Sequence, residues 1–300
     1  MIKAVKMFEP KHLDKFYWPK AGYTKADLLE YYAKLSPVLL RYLADRPVAL
    51  NRYPEGIGGF HFFQKDLGGQ TLPAFMKTAH IRAASTGKRL TYPLCQNKQS
   101  LLYLASLGSI EMHPWASRVG RLTKPDYAVF DLDPGSRSTF DDVVLVARDF
   151  HAVLDSLKVP SVCKTSGKRG LHVYVPLGAK YDYTKVRAFA KRVSQLVNAR
   201  LPELTTMEQR IAKRKGRVYL DYTRNAKGQT VVCAYSPRPT PEASVSTPLE
   251  WREVKRGLDP KKFTLDTMPK RLTQKGDLWK QVLGNGVDLD RAERALTKAV

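Results

Sequence analysis

Apolar residues recur at helical spacing from Thr24 to about Ala44, with Leu28, Tyr32, Leu35, Leu39 and Leu43 on one stripe and Thr24 placed to cap the start. Pro37 is expected to kink or split that helix, because proline has no backbone donor and its ring crowds the preceding turn. A second strong helical pattern runs from Thr139 to about Leu157. It opens on Thr-Phe-Asp-Asp142, a capping box with Asp in place of Glu, and carries Val143, Val146, Ala147, Phe150 and Leu154 on one face. Further helices are expected over Asn97–Leu107, from Thr184 to about Leu201, through the basic run Arg210, Lys213, Arg214, Lys215 and Arg217, and as short pieces around Trp251 and Trp279. Short apolar runs read as strands. Two lie across 48–66 around a glycine-rich turn, and a strand-and-loop region covers 77–96. Others cover Ile110–Trp115, Tyr127–Asp133, Val159–Lys164, Leu171–Val175, Arg217–Tyr222 and Gln229–Ala234, after which Ala234–Pro241 is extended and proline-stiffened. The strand-helix-strand-strand order in the middle of the chain predicts an antiparallel or mixed sheet flanked by helices, of the α+β class.

The run Tyr127-Ala-Val-Phe-Asp131-Leu-Asp133-Pro-Gly135 organises the rest. Side chains alternate along a strand, so Asp131 and Asp133 share one face and Leu132 points the other way. Two carboxylates that close repel unless a cation lies between them, and Mg²⁺ or Mn²⁺ with oxygen ligands would serve. Taken alone, the stretch is equally a strand end with two solvated acids.

Charge shifts that balance. Of 300 residues, 51 are Lys or Arg and 28 are Asp or Glu, a formal net charge of +23. Such an excess suits a polyanionic partner, nucleic acid before an anionic membrane. No run is long and apolar enough to span a bilayer, and Met1-Ile-Lys-Ala-Val-Lys6 lacks the apolar core of a signal peptide. Cys95, Cys163 and Cys233 stand apart with no CxxC spacing, which argues against a disulfide framework or a zinc site and for the cytoplasm, where a nucleic-acid partner would place the chain at the nucleoid.

Three further pieces could join the acids. Asp221 ends a later strand, and a third carboxylate is what a two-metal centre needs. Ser166-Gly-Lys168-Arg-Gly-Leu-His172 is a glycine-opened turn whose amides, hydroxyl and imidazole can donate to phosphate oxygens, or a plain basic hairpin. Arg52, Lys65, Arg224 and Arg238 are cations near strand ends, each able to hold a triphosphate, though a single such cation is more often a solvated surface charge. The glycines of 56–59 do not match GxGxxG, which argues against a dinucleotide site.

In this order, Asp-Leu-Asp-Pro-Gly, Thr-Ser-Gly-Lys-Arg-Gly-Leu-His, Val-Tyr-Leu-Asp-Tyr-Thr-Arg-Asn and Ala-Tyr-Ser-Pro-Arg resemble the signature of archaeo-eukaryotic primase-type polymerases. The chain most resembles the polymerase domain of bacterial and archaeal ligase D, from non-homologous end joining. Tyr17-Trp-Pro19, Thr24-Lys-Ala-Asp27, Asn51-Arg-Tyr-Pro-Glu-Gly56, Phe62-Phe-Gln-Lys65 and Glu111-Met-His113 extend the resemblance over about 10–285.

The resemblance implies an RRM-like catalytic palm packed on a smaller N-terminal α/β unit. The expected organisation is one domain, with an N-terminal sub-lobe to about 110, a palm over about 111–245 and a helical tail over about 246–300. It implies Asp131, Asp133 and Asp221 as metal-binding catalytic carboxylates. Ser166, His172, Lys65, Arg52, Lys168, Arg224 and Arg238 would contact the nucleotide. Lys15 and Lys25 would grip a 5′-phosphate, with His12 standing where the family places Asn, a change that would weaken that grip or make it pH-dependent. Phe62 and Phe63 would face the template. The cofactors would be Mn²⁺ or Mg²⁺, the substrates NTPs or dNTPs with ribonucleotides preferred, and the partner DNA with gaps or broken ends. A transient dimer across a break, a separate ligase and an end-binding protein complete the expectation. The chain has no Lys-x-Asp-Gly nucleotidylation motif, and its start at Met1 favours a stand-alone polymerase over an excised domain. A primase that starts chains de novo and a non-catalytic end-binding module are the alternatives. The second leaves three acids within a cationic DNA-binding chain unexplained.

Overall fold

The computed structural model describes residues 8–83 and 86–299. They form two compact units that interleave along the chain: 8–119 with 230–246 and 261–277, and 120–229 with 247–260 and 278–299. This division differs from consecutive boundaries near 110 and 245. The reason is non-local pairing: Thr230 bridges Trp115, and the Cys233 N–H donates to the Met112 carbonyl at 2.8 Å. No local pattern announces such a return.

The second unit holds a six-stranded mixed sheet. Its order is Thr205–Thr206, Val218–Asp221, Tyr127–Asp133, Leu171–Pro176, Val162–Thr165, Pro248–Leu249. Only the first pair is parallel. Alternation puts Phe130, Leu132 and Val173 on one face, all at most 1% exposed, and Phe130 meets Phe150 of the helix Phe140–Ser156 at 4.9 Å. Burying each such side chain is worth about 1.5–3 kcal/mol, which commits this face to the core and leaves the opposite face for chemistry. Thr139 and Asp142 make the expected capping box, and Asp182 caps the helix Tyr183–Arg200.

The first unit has a three-stranded antiparallel sheet in the order Phe62–Gln64, Val48–Arg52, Ser109–Pro114, a hairpin of Lys77–Arg82 with Arg89–Leu94, and the helices Lys25–Leu43 and Lys98–Ser106.

Three local expectations are corrected. The helix Lys25–Leu43 is not split at Pro37, and the Ser36 hydroxyl donates at 3.0 Å to the Ala33 carbonyl, the group that Pro37 leaves without its amide. The basic run 210–217 is a 3₁₀ turn, Ile211–Lys213, with no longer helix: its cations have no acid partners spaced along a helix, and Ile211 is 79% exposed, so no apolar face is there to bury. Residues 229–234 are irregular, with one bridge at Thr230, in place of a strand. Among the described residues no helix is long and apolar enough to cross a membrane.

Candidate active site

The second unit assembles its polar face from four neighbouring strands. Asp131 lies directly opposite Asp221 on one side and His172 on the other, and His172 lies opposite Lys164. Asp221, Asp131, His172 and Lys164 therefore form one straight row across the sheet. All four are buried, at 5%, 7%, 4% and 0% exposure. Burying four polar groups together is costly unless they gain partners, and two close contacts lie within the row itself. His172 Nε2 is 3.2 Å from Asp131 Oδ1, and Lys164 Nζ is 2.9 Å from His172 Nδ1.

Arg224 reaches this row through a short turn. Asp221 caps the 3₁₀ helix Tyr222–Asn225, its Oδ1 accepting from the Thr223 amide at 2.9 Å and from the Thr223 hydroxyl. Asn225 fixes the turn to the aspartate strand: its side chain accepts from the Val129 N–H at 2.8 Å and donates to the Val129 carbonyl at 2.6 Å. One residue earlier, Arg224 Nε sits 3.1 Å from Asp221 Oδ2 and 3.4 Å from Asp131 Oδ2. Burial alone would lower the Arg224 pKa, but Asp131, Asp221 and Asp133 outweigh it and raise it. Asp133 is the strained member. Burial first and the Asp131 charge second push its carboxyl up to about 7, against the pull of Arg224.

The Ser166 turn is built from within. The Ser166 hydroxyl accepts from the Lys168 and Gly170 amides at 3.1 and 3.0 Å, so what it retains for a ligand is its own proton. Gly170 is required by close approach, since a Cβ there would lie 2.5 Å from the Leu132 carbonyl oxygen. Lys168 is exposed at the turn.

In the first unit, Glu111 is 1% exposed and gathers Arg238 Nε at 2.7 Å, Asn51 Nδ2 at 2.5 Å and His113 Nε2 at 3.4 Å. Arg52 donates to the Leu107 carbonyl at 2.9 Å and to Gln64 at 2.8 Å, and lies 5.1 Å from the centre of the Phe62 ring. Burial lowers its pKa. Phe63 is 47% exposed with Lys65 over its ring, whereas Phe62 is half-buried beside Phe60, itself 75% exposed. Exposure thus adds Phe60 to the aromatics available for stacking. Lys15, Lys25 and His12 come together: the Lys15 amide donates to the His12 carbonyl, the Lys25 amide to the Lys15 carbonyl, and the Lys25 ammonium to the Lys11 carbonyl at 2.8 Å. Burial first, then the Lys15 charge, lower the Lys25 pKa. Lys15 itself is held by both oxygens of Glu55 at 2.8 Å.

Glu111, Glu55 and Lys164 anchor these clusters and carried no role in the sequence reading. Glu55 lies in a quoted motif but its partner is 40 residues away. Lys164 could have been placed by alternation, since a strand ending at Thr165 and paired to the next strand puts Lys164 and His172 on one face.

A family model described as the LigD primase-polymerase domain matches residues 24–279. The chain belongs to this family. Among similar proteins, the bifunctional non-homologous end joining protein LigD of Bacillus subtilis (strain 168) is 33% identical over 285 residues, covering 92% of this chain and 45% of that protein. The multifunctional LigD of Mycolicibacterium smegmatis is 31% identical over 269 residues, 88% of this chain and 34% of that one. The chain thus spans less than half the length of these relatives. The polymerase domain from Mycobacterium tuberculosis Ligase D, solved in complex with DNA, matches with a TM-score of 0.84 at 28% identity, over 93% of this chain and 99% of that one. It shares the mixed α+β architecture.

The LigD primase-polymerase family implies divalent metal ions and nucleoside triphosphates. The donor chemistry here fits: three carboxylates on one sheet, one of them pushed up to about 7 by burial first and by the Asp131 charge second, a cost that a divalent cation would offset. As the side chains stand, no group of three or more His, Cys, Asp or Glu among the described residues is arranged to hold an ion. The Arg224 guanidinium supplies the positive charge between Asp131 and Asp221.

Proposed function

We propose that the chain is a template-directed nucleotidyltransferase that fills gaps and extends 3′ ends at double-strand breaks in non-homologous end joining, with ribonucleotides favoured. The observation that carries this reading is the buried row of Asp221 and Asp131 with a protonation-strained Asp133, in a chain of net charge +23. Acids on a DNA-binding protein oppose binding unless cations neutralise them, so their burial and mutual approach favour catalysis over simple end binding.

Asp131, Asp133 and Asp221 would hold the divalent ions. When bound, these lower the pKa of the attacking 3′-hydroxyl and neutralise the charge developing on the leaving pyrophosphate. The protein's own part is positioning. The His172 imidazole, the Ser166 hydroxyl proton and the cations of Arg224 and Lys168 would donate to triphosphate oxygens. Arg52, Lys65 and Arg238 would add phosphate contacts, and Phe62 and Phe63 would stack on template bases. Lys15, Lys25 and His12 would hold a downstream 5′-phosphate. No protein nucleophile is needed, since orientation and charge neutralisation supply most of the acceleration. A separate ligase, an end-binding protein and a second copy across the break are the partners this role calls for.

The test is extension of a labelled primer on a gapped duplex with a downstream 5′-phosphate. Ribonucleotides are compared with deoxynucleotides, Mn²⁺ with Mg²⁺, and wild type with Asp131→Ala. Synthesis that favours ribonucleotides, needs the metal and disappears in Asp131→Ala while gap binding survives is the expected result. Absence of synthesis under every condition, with gap binding intact, would leave an end-binding module.

A further inference from the structure

Lys164 is 0% exposed, at the centre of the strand Val162–Thr165 and in direct register with His172. A lysine buried so completely is costly in a fold and rarely retained by packing alone. Its ammonium meets His172 Nδ1 at 2.9 Å and lies 5.8 Å from the centre of the Tyr174 ring. We propose that Lys164 is a positioning residue: by donating to Nδ1 it keeps the imidazole hydrogen of His172 on Nε2, aimed along the sheet toward the carboxylate end of the row.

The polarity follows from both ends of the chain of contacts. An ammonium has three donors and no acceptor, so Nδ1 must accept from it. The neutral ring then carries its hydrogen on Nε2, which lies 3.2 Å from Asp131 Oδ1, an acceptor. The opposite arrangement would need a neutral Lys164 amine accepting from Nδ1–H. It would also turn the Nε2 lone pair onto the Asp131 carboxylate, placing two acceptors against each other. One directional series gives the Lys164–His172 hydrogen bond its donor and turns the Nε2 hydrogen toward the Asp131 carboxylate. Tyr174, 3% exposed on the same face, walls the ammonium from solvent.

The consequence rests on the polymerase reading. When a triphosphate enters, an Nε2–H already pointed at the site can donate to a phosphate oxygen, with no tautomer exchange needed on binding. Lys164 would thus set nucleotide affinity without touching the nucleotide. A hydrogen bond to a charged group is typically worth enough to change affinity about tenfold or more.

The experiment reads the ring itself. Long-range ¹H–¹⁵N correlation spectra of the nucleotide-free chain resolve histidine tautomers, and with six histidines in the sequence His172→Gln assigns the signal. Wild type is expected to show the Nε2–H signature. Lys164→Met is expected to lose it and to raise the KM for the nucleotide about tenfold with a smaller change in kcat. Lys164→Gln, whose amide can still donate, should recover part of both. An Nδ1–H signature in wild type would overturn the proposal, as would Lys164→Met with both signature and KM unchanged. Should Lys164→Met not fold, the wild-type spectrum and Lys164→Gln decide. A wild-type chain with the Nε2–H signature but no synthesis would sink the polymerase reading and leave the Lys164–His172 relation standing.

Discussion

Asp133→Asn should make the metal-free protein more stable while destroying the activity proposed for it. The carboxyl has an ordinary value of 3.8 and is pushed up to about 7 in the fold, by burial first and by Asp131 second. A carboxyl whose folded pKa is raised costs nothing below the unfolded pKa. The cost grows as pH climbs between the two values and is constant above the folded one. At about 1.4 kcal/mol per unit, the cost is on the order of 1–2 kcal/mol at pH 5 and about 4 kcal/mol above pH 8, a ceiling because Arg224 and Asp131 share the charge. Asn keeps the shape and removes the titration. Urea unfolding of both proteins in a chelator at pH 5, 6.5 and 8.5 gives the difference at each pH, in which every other titrating group largely cancels. That difference should move in the variant's favour by about 2–3 kcal/mol between pH 5 and 8.5. Adding Mn²⁺ at pH 8.5 should stabilise wild type far more than the variant and close the gap. A difference independent of pH, or one that turns against Asn as pH rises, would refute the electrostatic account of this cluster.

Other perturbations test other parts. Glu55→Gln releases the Lys15 ammonium from its carboxylate, so fluorescence anisotropy should show severalfold tighter binding of gapped DNA and a larger preference for a 5′-phosphate over a 5′-hydroxyl. An unchanged preference would detach Lys15 from the phosphate. Ser36→Ala should cost about 1 kcal/mol in urea unfolding, and that cost should shrink in a Pro37→Ala background, where an amide returns to the Ala33 carbonyl. Gly135→Ala places a Cβ 2.3 Å from the Gly216 carbonyl carbon, so Tm should fall by the equivalent of about 3 kcal/mol and synthesis should weaken through the loop after Asp133.

What could be read from the chain was whatever depends on near neighbours. The helix Lys25–Leu43 and the capping box at Thr139 follow from spacing and caps, and alternation places Asp131 and His172 on sheet faces. The misreadings share a cause. Pro37 breaks a helix by local rules, yet a serine one residue earlier answers the orphaned carbonyl. The cations of 210–217 match helical spacing without an apolar surface to bury. Residues 229–234 resemble a strand but find only one bridge. Lys164 was passed over because a single lysine in a strand has meaning only once register sets it beside His172.

The interleaving of the two units has a consequence for synthesis on the ribosome. The strand Tyr127–Asp133 emerges before Val218–Asp221, its partner on one side, and the sheet edge Pro248–Leu249 comes later still. The first unit waits as well, for 230–246 and 261–277. At ~5–20 residues per second, a nascent chain spends many seconds with both cores incomplete and strand edges bare. Neither unit can close on its own before most of the protein has been translated. A stop placed anywhere before about residue 277 truncates both at once, so nascent-chain chaperones and proteases would meet this chain as a single late-maturing substrate.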